Sequence, residues 1–78
     1  MKNIDKYKNA FIETFNVKKN EVCQLTYQST PAWDSVGHMN LITALEENFD
    51  IMFETDDIVD FNSYEKGIEI LKKNGVEI

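Results

Sequence analysis

The sequence predicts an all-α domain with three main helices, one short helix before the last, and a long loop after the first. Apolar residues recur at helical spacing in three segments, 3–15, 35–49 and 64–73. Each segment begins at or next to a residue type that often caps a helix. We expect one domain spanning residues 1–78, because so short a chain builds a single modest core.

The first segment, "NIDKYKNAFIETF", carries one apolar stripe with charged residues between its members. That stripe consists of Ile4, Tyr7, Phe11 and Phe15. Asn3 can cap the start of this helix, and Asn16 can end it because asparagine tolerates a left-handed backbone.

The next stretch, residues 17–34, shows no sustained period, and we expect it to form a long ordered loop. A loop of this length is unusual in a compact domain and is often functional. Scattered apolar residues would pin the loop to the core, namely Val17, Val22, Leu25 and Tyr27. Trp33 has two interpretations: it packs on the core as an anchor of the loop, or it shields a group near Ser35.

The second segment, "SVGHMNLITALEENF", forms an amphipathic helix with Asp34 or Ser35 as its cap. Its core face comprises His38, Leu41, Ile42, Leu45 and Phe49. We expect His38 to be partly buried, with its ring hydrogen-bonded to a partner from the long loop. The outer face is apolar near Ser35 and acidic further along, and it comprises Val36, Met39, Asn40, Thr43, Glu46, Glu47 and Asp50.

Two further helices follow. Thr55 is predicted to cap a short turn through residues 56–58, where aspartates suit the positive end of the helix dipole. Ser63 is predicted to cap the last helix, which Gly75 ends. The apolar stripe of that helix consists of Tyr64, Gly67, Ile68 and Leu71.

The composition excludes several classes of function. Fourteen acidic residues against eight basic ones give a net charge of −6, so nucleic acid is not an expected partner. The acids either favour basic protein surfaces or simply maintain solubility. No segment has the apolar length of a membrane span and no secretory leader is visible, so we expect a soluble, cytoplasmic protein. The single Cys23 fits a reducing compartment, and no metal site is expected.

The pair Asp34–Ser35 admits three interpretations: a nucleophile, a helix cap, or a point of covalent attachment. Asp34, Ser35 and His38 supply the residue types of a hydrolytic triad, but their spacing on one helix does not suit its geometry. A cap accounts for the residue types but not for the loop before them or the mixed face behind them. An attachment point accounts for all three features, because a helix N-terminus stabilises an attached phosphate.

The stretch "WDSVGHMNLITALEENFDI" resembles the modification site of the acyl carrier protein family. In that family Asp-Ser and an aliphatic residue are followed by a helix that ends Ala-Leu-Glu-Glu-x-Phe. The matching residues are Asp34, Ser35, Val36, Leu41, Ala44, Leu45, Glu46, Glu47 and Phe49. The aspartates at 56–57 and the Ser63-capped last helix also match, so the resemblance covers essentially the whole chain.

The resemblance implies a four-helix bundle in which Ser35 carries a 4′-phosphopantetheine arm and Asp34 is its motif neighbour. The arm comes from coenzyme A through a phosphopantetheinyl transferase, and it holds acyl or aminoacyl groups as thioesters. Such a chain is a non-catalytic carrier and is expected to be a monomer. The outer face of the second helix would meet basic docking patches on ligase or transferase enzymes.

The motif departs from the pattern of general fatty-acid carriers, which usually have acids where Gly37 and Asn40 stand. This difference favours a dedicated stand-alone carrier of a specialised biosynthetic pathway. Gly37 also weakens its helix by about 1 kcal/mol relative to alanine, a cost that close approach of the arm or of a partner would offset. The alternatives are a general carrier of fatty-acid synthesis and an unmodified acidic adaptor module.

Overall fold

The computed structural model describes residues 2–78, and its regular structure is helical. The four α-helices are α1 (Asn3–Phe15), α2 (Ser35–Phe49), α3 (Thr55–Asp60) and α4 (Tyr64–Lys73), and a 3₁₀ turn forms at Val22–Gln24. Within the described range no strand occurs, and Thr26 and Ser63 form an isolated antiparallel bridge. None of the helices in that range is long and apolar enough to cross a membrane. The predicted all-α class is therefore confirmed.

The core is built around aromatic rings. Its buried aromatic residues are Tyr7, Phe11, Phe15, Trp33, Phe53, Phe61 and Tyr64. Phe11 lies near the centre of this cluster, with ring centroids 4.9 Å from Tyr7, 5.5 Å from Trp33 and 5.4 Å from Tyr64. Edge-to-face pairs of this kind contribute about 0.5–1.5 kcal/mol each beyond the area that they bury. The predicted stripe of α1 is thus the side of the helix that builds the core.

Polar groups within this core are paired. The hydroxyl of Tyr7 donates a hydrogen bond to the carbonyl of Tyr64 at 2.6 Å, and burial raises the pKa of Tyr7 far above its ordinary value. A Cβ atom at Gly67 would lie 2.1 Å from the Tyr7 hydroxyl and 2.3 Å from the Phe61 ring. Glycine at 67 therefore lets α4 pack directly onto the aromatic core.

Several predicted helix ends are confirmed. Asn16 takes the left-handed conformation, with φ 54°, directly after α1. The carboxylate of Asp34 caps α2 by accepting a hydrogen bond from the Gly37 amide at 2.8 Å. Ser63 caps α4 by accepting from the Lys66 amide at 3.0 Å. Each of these contacts lies within three or four residues along the chain, which is why a local pattern could predict it.

Two predicted caps are wrong. Asn3 lies inside α1, where its side-chain amide donates to the Glu77 carbonyl at 2.8 Å and so ties the helix start to the end of the chain. Thr55 lies inside α3, and the extended residue before it, Glu54, occupies the cap position without a side-chain hydrogen bond. Asparagine and threonine can cap a helix, but the direction in which the chain enters decides whether they do.

Asp57 is buried rather than exposed on the first turn of a surface helix. Only 2% of its surface is accessible, and its carboxylate pairs with the Lys73 ammonium and accepts from the Asn74 amide at 3.3 Å. The hydrogen bond from Lys73 lowers the pKa of Asp57 below its ordinary value. This pairing satisfies a buried charge and fastens α3 to the end of α4.

Candidate functional site

Ser35 is the first residue of α2, and its side chain is exposed. The capping hydrogen bond to the Gly37 amide comes from the Asp34 carboxylate, so the Ser35 hydroxyl has no capping role. Of the two residues that the sequence offered as the cap, Asp34 is the one used. The Ser35 hydroxyl is thus an accessible group at the positive end of a 15-residue helix.

The loop places a second hydroxyl against Ser35. The Tyr27 hydroxyl and Ser35 Oγ are 3.2 Å apart and share a hydrogen bond. Tyr27 was predicted to be an apolar anchor, but 37% of its surface is exposed. Its ring lies edge-on to Trp33 and His38, with centroid separations of 6.4 Å and 5.7 Å. Nothing in the aperiodic loop sequence indicated this contact.

His38 joins the loop, α2 and α3 through both nitrogens of its ring. The indole N–H of Trp33 donates to His38 Nδ1 at 3.0 Å, and His38 Nε2 lies 2.7 Å from the Ile58 carbonyl. An indole nitrogen can only donate, so Nδ1 accepts and Nε2 carries the proton that is donated to Ile58. The predicted hydrogen-bond partner from the loop is confirmed, and both ring nitrogens are engaged away from Ser35.

Trp33 is fully buried. Its ring stacks on Phe15 at a centroid separation of 5.2 Å and an interplanar angle of 21°. It also stacks on the His38 ring at 6.2 Å. A ring with no exposed surface cannot shield an attached group, so Trp33 anchors the loop and orients His38.

An open cleft of about 340 Å³ lies beside Ser35. The residues that line it, most of them through apolar side chains, are Tyr27, Ser35, His38, Met39, Ile58, Val59, Phe61 and Asn62. α3 contributes Ile58 and Val59 to the wall that faces α2. The sequence indicated the short helix but not that this helix forms one side of a cleft at Ser35.

Glycine is required at position 37 because the chain itself fills the space that a side chain would need. A Cβ atom at this position would lie 1.9 Å from the Ala32 carbonyl oxygen and 3.2 Å from the Phe15 ring. The close contact that offsets the helix-propensity cost of Gly37 is therefore made by the loop at Ala32, and not by an attached arm or a partner. This contact brings the segment that precedes Ser35 directly against α2.

The predicted outer face of α2 is largely exposed. Val36 and Met39 have 71% and 48% of their surfaces accessible, and the other exposed members are Asn40, Thr43, Glu47 and Asp50. Glu46 is half-buried, and its carboxylate accepts a hydrogen bond from the Phe53 amide at 2.9 Å. Glu46 therefore has a structural role in holding the chain after α2. The structure adds Val59 of α3, which is 74% exposed, to the apolar surface around the cleft.

Neither a metal centre nor a disulfide is found in the described part of the chain. Residues 2–78 contain no group of histidine, cysteine, aspartate or glutamate side chains arranged to hold a metal ion. Cys23 is a free and exposed thiol in the 3₁₀ turn.

Searches of protein-family models, curated proteins and solved structures found no match to this chain. Its function is therefore inferred from the chemistry of the site itself. That chemistry consists of one accessible hydroxyl at a helix start, a neighbouring phenol and an adjoining apolar cleft. Both ring nitrogens of His38 bond to other groups, and the side chain in hydrogen-bond contact with Ser35 is the Tyr27 phenol.

Proposed function

We propose that this protein is a carrier of the acyl carrier type, in which Ser35 accepts a 4′-phosphopantetheine group from coenzyme A. The observation that carries the proposal is that Asp34 caps α2, which leaves the neighbouring Ser35 hydroxyl exposed beside an apolar cleft. The Ser35 hydroxyl is therefore not needed as a helix cap. It is well placed to be a substrate for a modifying enzyme.

The attachment is a phosphoryl transfer in which the chain supplies only the acceptor. Ser35 Oγ forms a bond to the β-phosphorus of coenzyme A, and the bond from that phosphorus to the bridging oxygen breaks. Adenosine 3′,5′-bisphosphate leaves, and a base of the phosphopantetheinyl transferase takes the serine proton. The chain itself is non-catalytic in this proposal.

The residues around Ser35 fit a phosphodiester that continues into a flexible chain. The start of α2 favours a negative charge, and the Tyr27 hydroxyl is a donor within reach of Ser35 Oγ. Met39, Ile58 and Val59 supply apolar walls for the pantetheine part. When bound, the group supplies a thiol that holds acyl or aminoacyl cargo as a thioester.

A hydrolytic nucleophile is less well supported by the same contacts. The Asp34 carboxylate is used as a helix cap, and both nitrogens of His38 are hydrogen-bonded elsewhere. A triad requires the histidine to take the serine proton and the acid to orient the histidine. The hydrogen bonds of Ser35, His38 and Asp34 go to other groups, so their contacts do not support a triad.

The exposed face around the cleft suits transient contact with partner enzymes. Val36, Met39 and Val59 offer apolar contacts, and Glu47 and Asp50 place acids further along α2. Exposed charges of this kind set encounter rate and partner choice more than affinity, which suits a carrier that must leave each enzyme. We propose acyl or aminoacyl ligases and transferases with basic docking patches as these partners.

A dedicated biosynthetic pathway fits the surface better than general fatty-acid synthesis. The start of α2 presents Val36, Met39 and Asn40 instead of acids, so its charge is confined to the second half of the helix. A general fatty-acid carrier would be loaded by fatty acyl transferases, and a dedicated carrier would not. Thioester formation after incubation with such a transferase distinguishes the two.

The test is intact mass after incubation of the chain with coenzyme A, magnesium and a promiscuous phosphopantetheinyl transferase. We expect the native chain to gain one phosphopantetheine group and the Ser35→Ala variant to gain none. Thr55→Ala, which removes an exposed hydroxyl from the first residue of α3, is the matched control and should be modified like the native chain. Absence of a mass gain in the native chain would refute the carrier proposal and leave an unmodified acidic adaptor.

A further inference from the structure

The contact between Tyr27 and Ser35 is held by a defined loop conformation. The Tyr27 amide donates to the Asn62 carbonyl at 2.8 Å, and the next amide, of Gln28, donates to the Trp33 carbonyl at 3.0 Å. Gln28 has a φ of 67°, a conformation that side-chain-bearing residues rarely adopt. A left-handed residue with a side chain is maintained only where surrounding contacts determine it, and here the two amide hydrogen bonds are such contacts.

The aromatic neighbours of Tyr27 fix the direction of its ring. Trp33 and His38 lie edge-on to it, and both Tyr27 and His38 line the cleft. The phenol thus packs against the buried Trp33 and the half-buried His38 while its hydroxyl contacts Ser35 Oγ. Burial in the core does not explain why Tyr27 is held in this position, because more than a third of its surface is exposed.

We infer that Tyr27 is a positioning residue for the covalent modification of Ser35. In the unmodified chain its hydroxyl holds Ser35 Oγ at the edge of the cleft. After modification the serine oxygen and the phosphate oxygens can only accept hydrogen bonds, so Tyr27 becomes the donor of a charge-assisted bond. This bond directs the attached group along the cleft walls formed by Ile58 and Val59. The inference rests on the proposed carrier function.

The decisive variant is Tyr27→Phe, which keeps the supporting ring and removes the hydroxyl. Tyr64→Phe is the matched control, because the Tyr64 hydroxyl lies by Cys23 and the residue is not part of the cleft. Far-ultraviolet circular dichroism and thermal midpoints establish that each variant folds. Both variants and the native chain are then loaded by the same transferase under identical conditions.

We expect Tyr27→Phe to lower kcat for loading by about fivefold, the effect of one hydrogen bond, with KM for the chain changed less. The ³¹P resonance of the loaded native chain should differ from that of the same chain unfolded in urea. Tyr27→Phe should move this resonance toward the unfolded position, whereas Tyr64→Phe should leave it unchanged. Native kcat together with a native ³¹P position in Tyr27→Phe would overturn the inference and leave the carrier proposal standing.

If Tyr27→Phe does not fold, a second measurement on the native chain tests the inference. In the native chain labelled with ¹³C at the tyrosine ζ carbons, loading should shift the Tyr27 signal and leave that of Tyr64 in place. An unshifted Tyr27 signal in the loaded chain would overturn the inference. Failure of the native chain to be loaded at all would overturn the carrier proposal and this inference with it.

Discussion

Substitution of Gly37 by alanine tests the close contact between α2 and Ala32 of the loop that leads to Ser35. A Cβ atom at this position would lie 1.9 Å from the Ala32 carbonyl oxygen, and ordinary contacts begin near 3.4 Å. The obstacle is backbone, which cannot rotate away as a flexible side chain can. The loop must therefore move by more than an ångström, or the first turn of α2 must distort.

The expected magnitude follows from two opposing terms. Alanine gains about 1 kcal/mol over glycine inside a helix. Overpacking of a well-packed site costs roughly 1–3 kcal/mol and occasionally more, and a clash with backbone belongs at the upper end. We expect Gly37→Ala to lower the free energy of unfolding by about 2 kcal/mol. In a domain of this size that corresponds to a fall in the thermal midpoint of roughly 8–16 °C.

Asn40 provides an internal control on the same helix. It is exposed, so the difference between Asn40→Ala and Asn40→Gly measures helix propensity without a packing term. Urea titrations followed by circular dichroism should show alanine more stable than glycine at 40 and less stable at 37. If alanine at position 37 stabilised the chain, the reasoning would be refuted, because the Cβ atom would then fit beside the Ala32 carbonyl without a clash.

Three further predictions follow from buried groups and surface charge. Trp33→Ala should cost about 3–5 kcal/mol and largely unfold the chain, visible as loss of its cooperative thermal transition; a variant with the native midpoint would refute its role as anchor. Asp57, whose pKa is lowered by Lys73, contributes stability that is present above its ordinary value of 3.8 and lost as the pH falls below it. Urea midpoints between pH 6 and pH 2 should fall less steeply in Asp57→Asn than in the native chain, and equal slopes would contradict this. Added salt should raise the thermal midpoint because it screens the acids at 46–50 and 54–60, and no rise would mean that these acids are already offset by lysines.

The helices could be predicted because their determinants are local. A helix start or end depends on groups within about one turn, as the contacts of Asp34 and Ser63 and the left-handed Asn16 illustrate. Asn3 and Thr55 were wrongly predicted to be caps, because their residue types suit a cap but the preceding chain places each of them inside its helix.

The surroundings of Ser35 could be predicted only in part. Its place at the start of α2 and the exposed Val36 and Met39 follow from helical periodicity. The contact with Tyr27 depends on how an aperiodic loop folds back, and no periodic signal encodes that path. Similarly, Asp57 has the sequence context of a surface acid, and its partner Lys73 lies sixteen residues further along.

By itself the sequence determined an all-helical chain, the bounds of its main helices and a serine at the mouth of the second. Tertiary structure alone decided that Asp34 and not Ser35 caps α2, that Tyr27 meets Ser35, and that α3 walls a cleft beside them. The physical reason is the separation along the chain between the residues that interact. Periodicity and capping act over three or four residues, whereas a cleft forms from segments whose separation is settled only when the core packs.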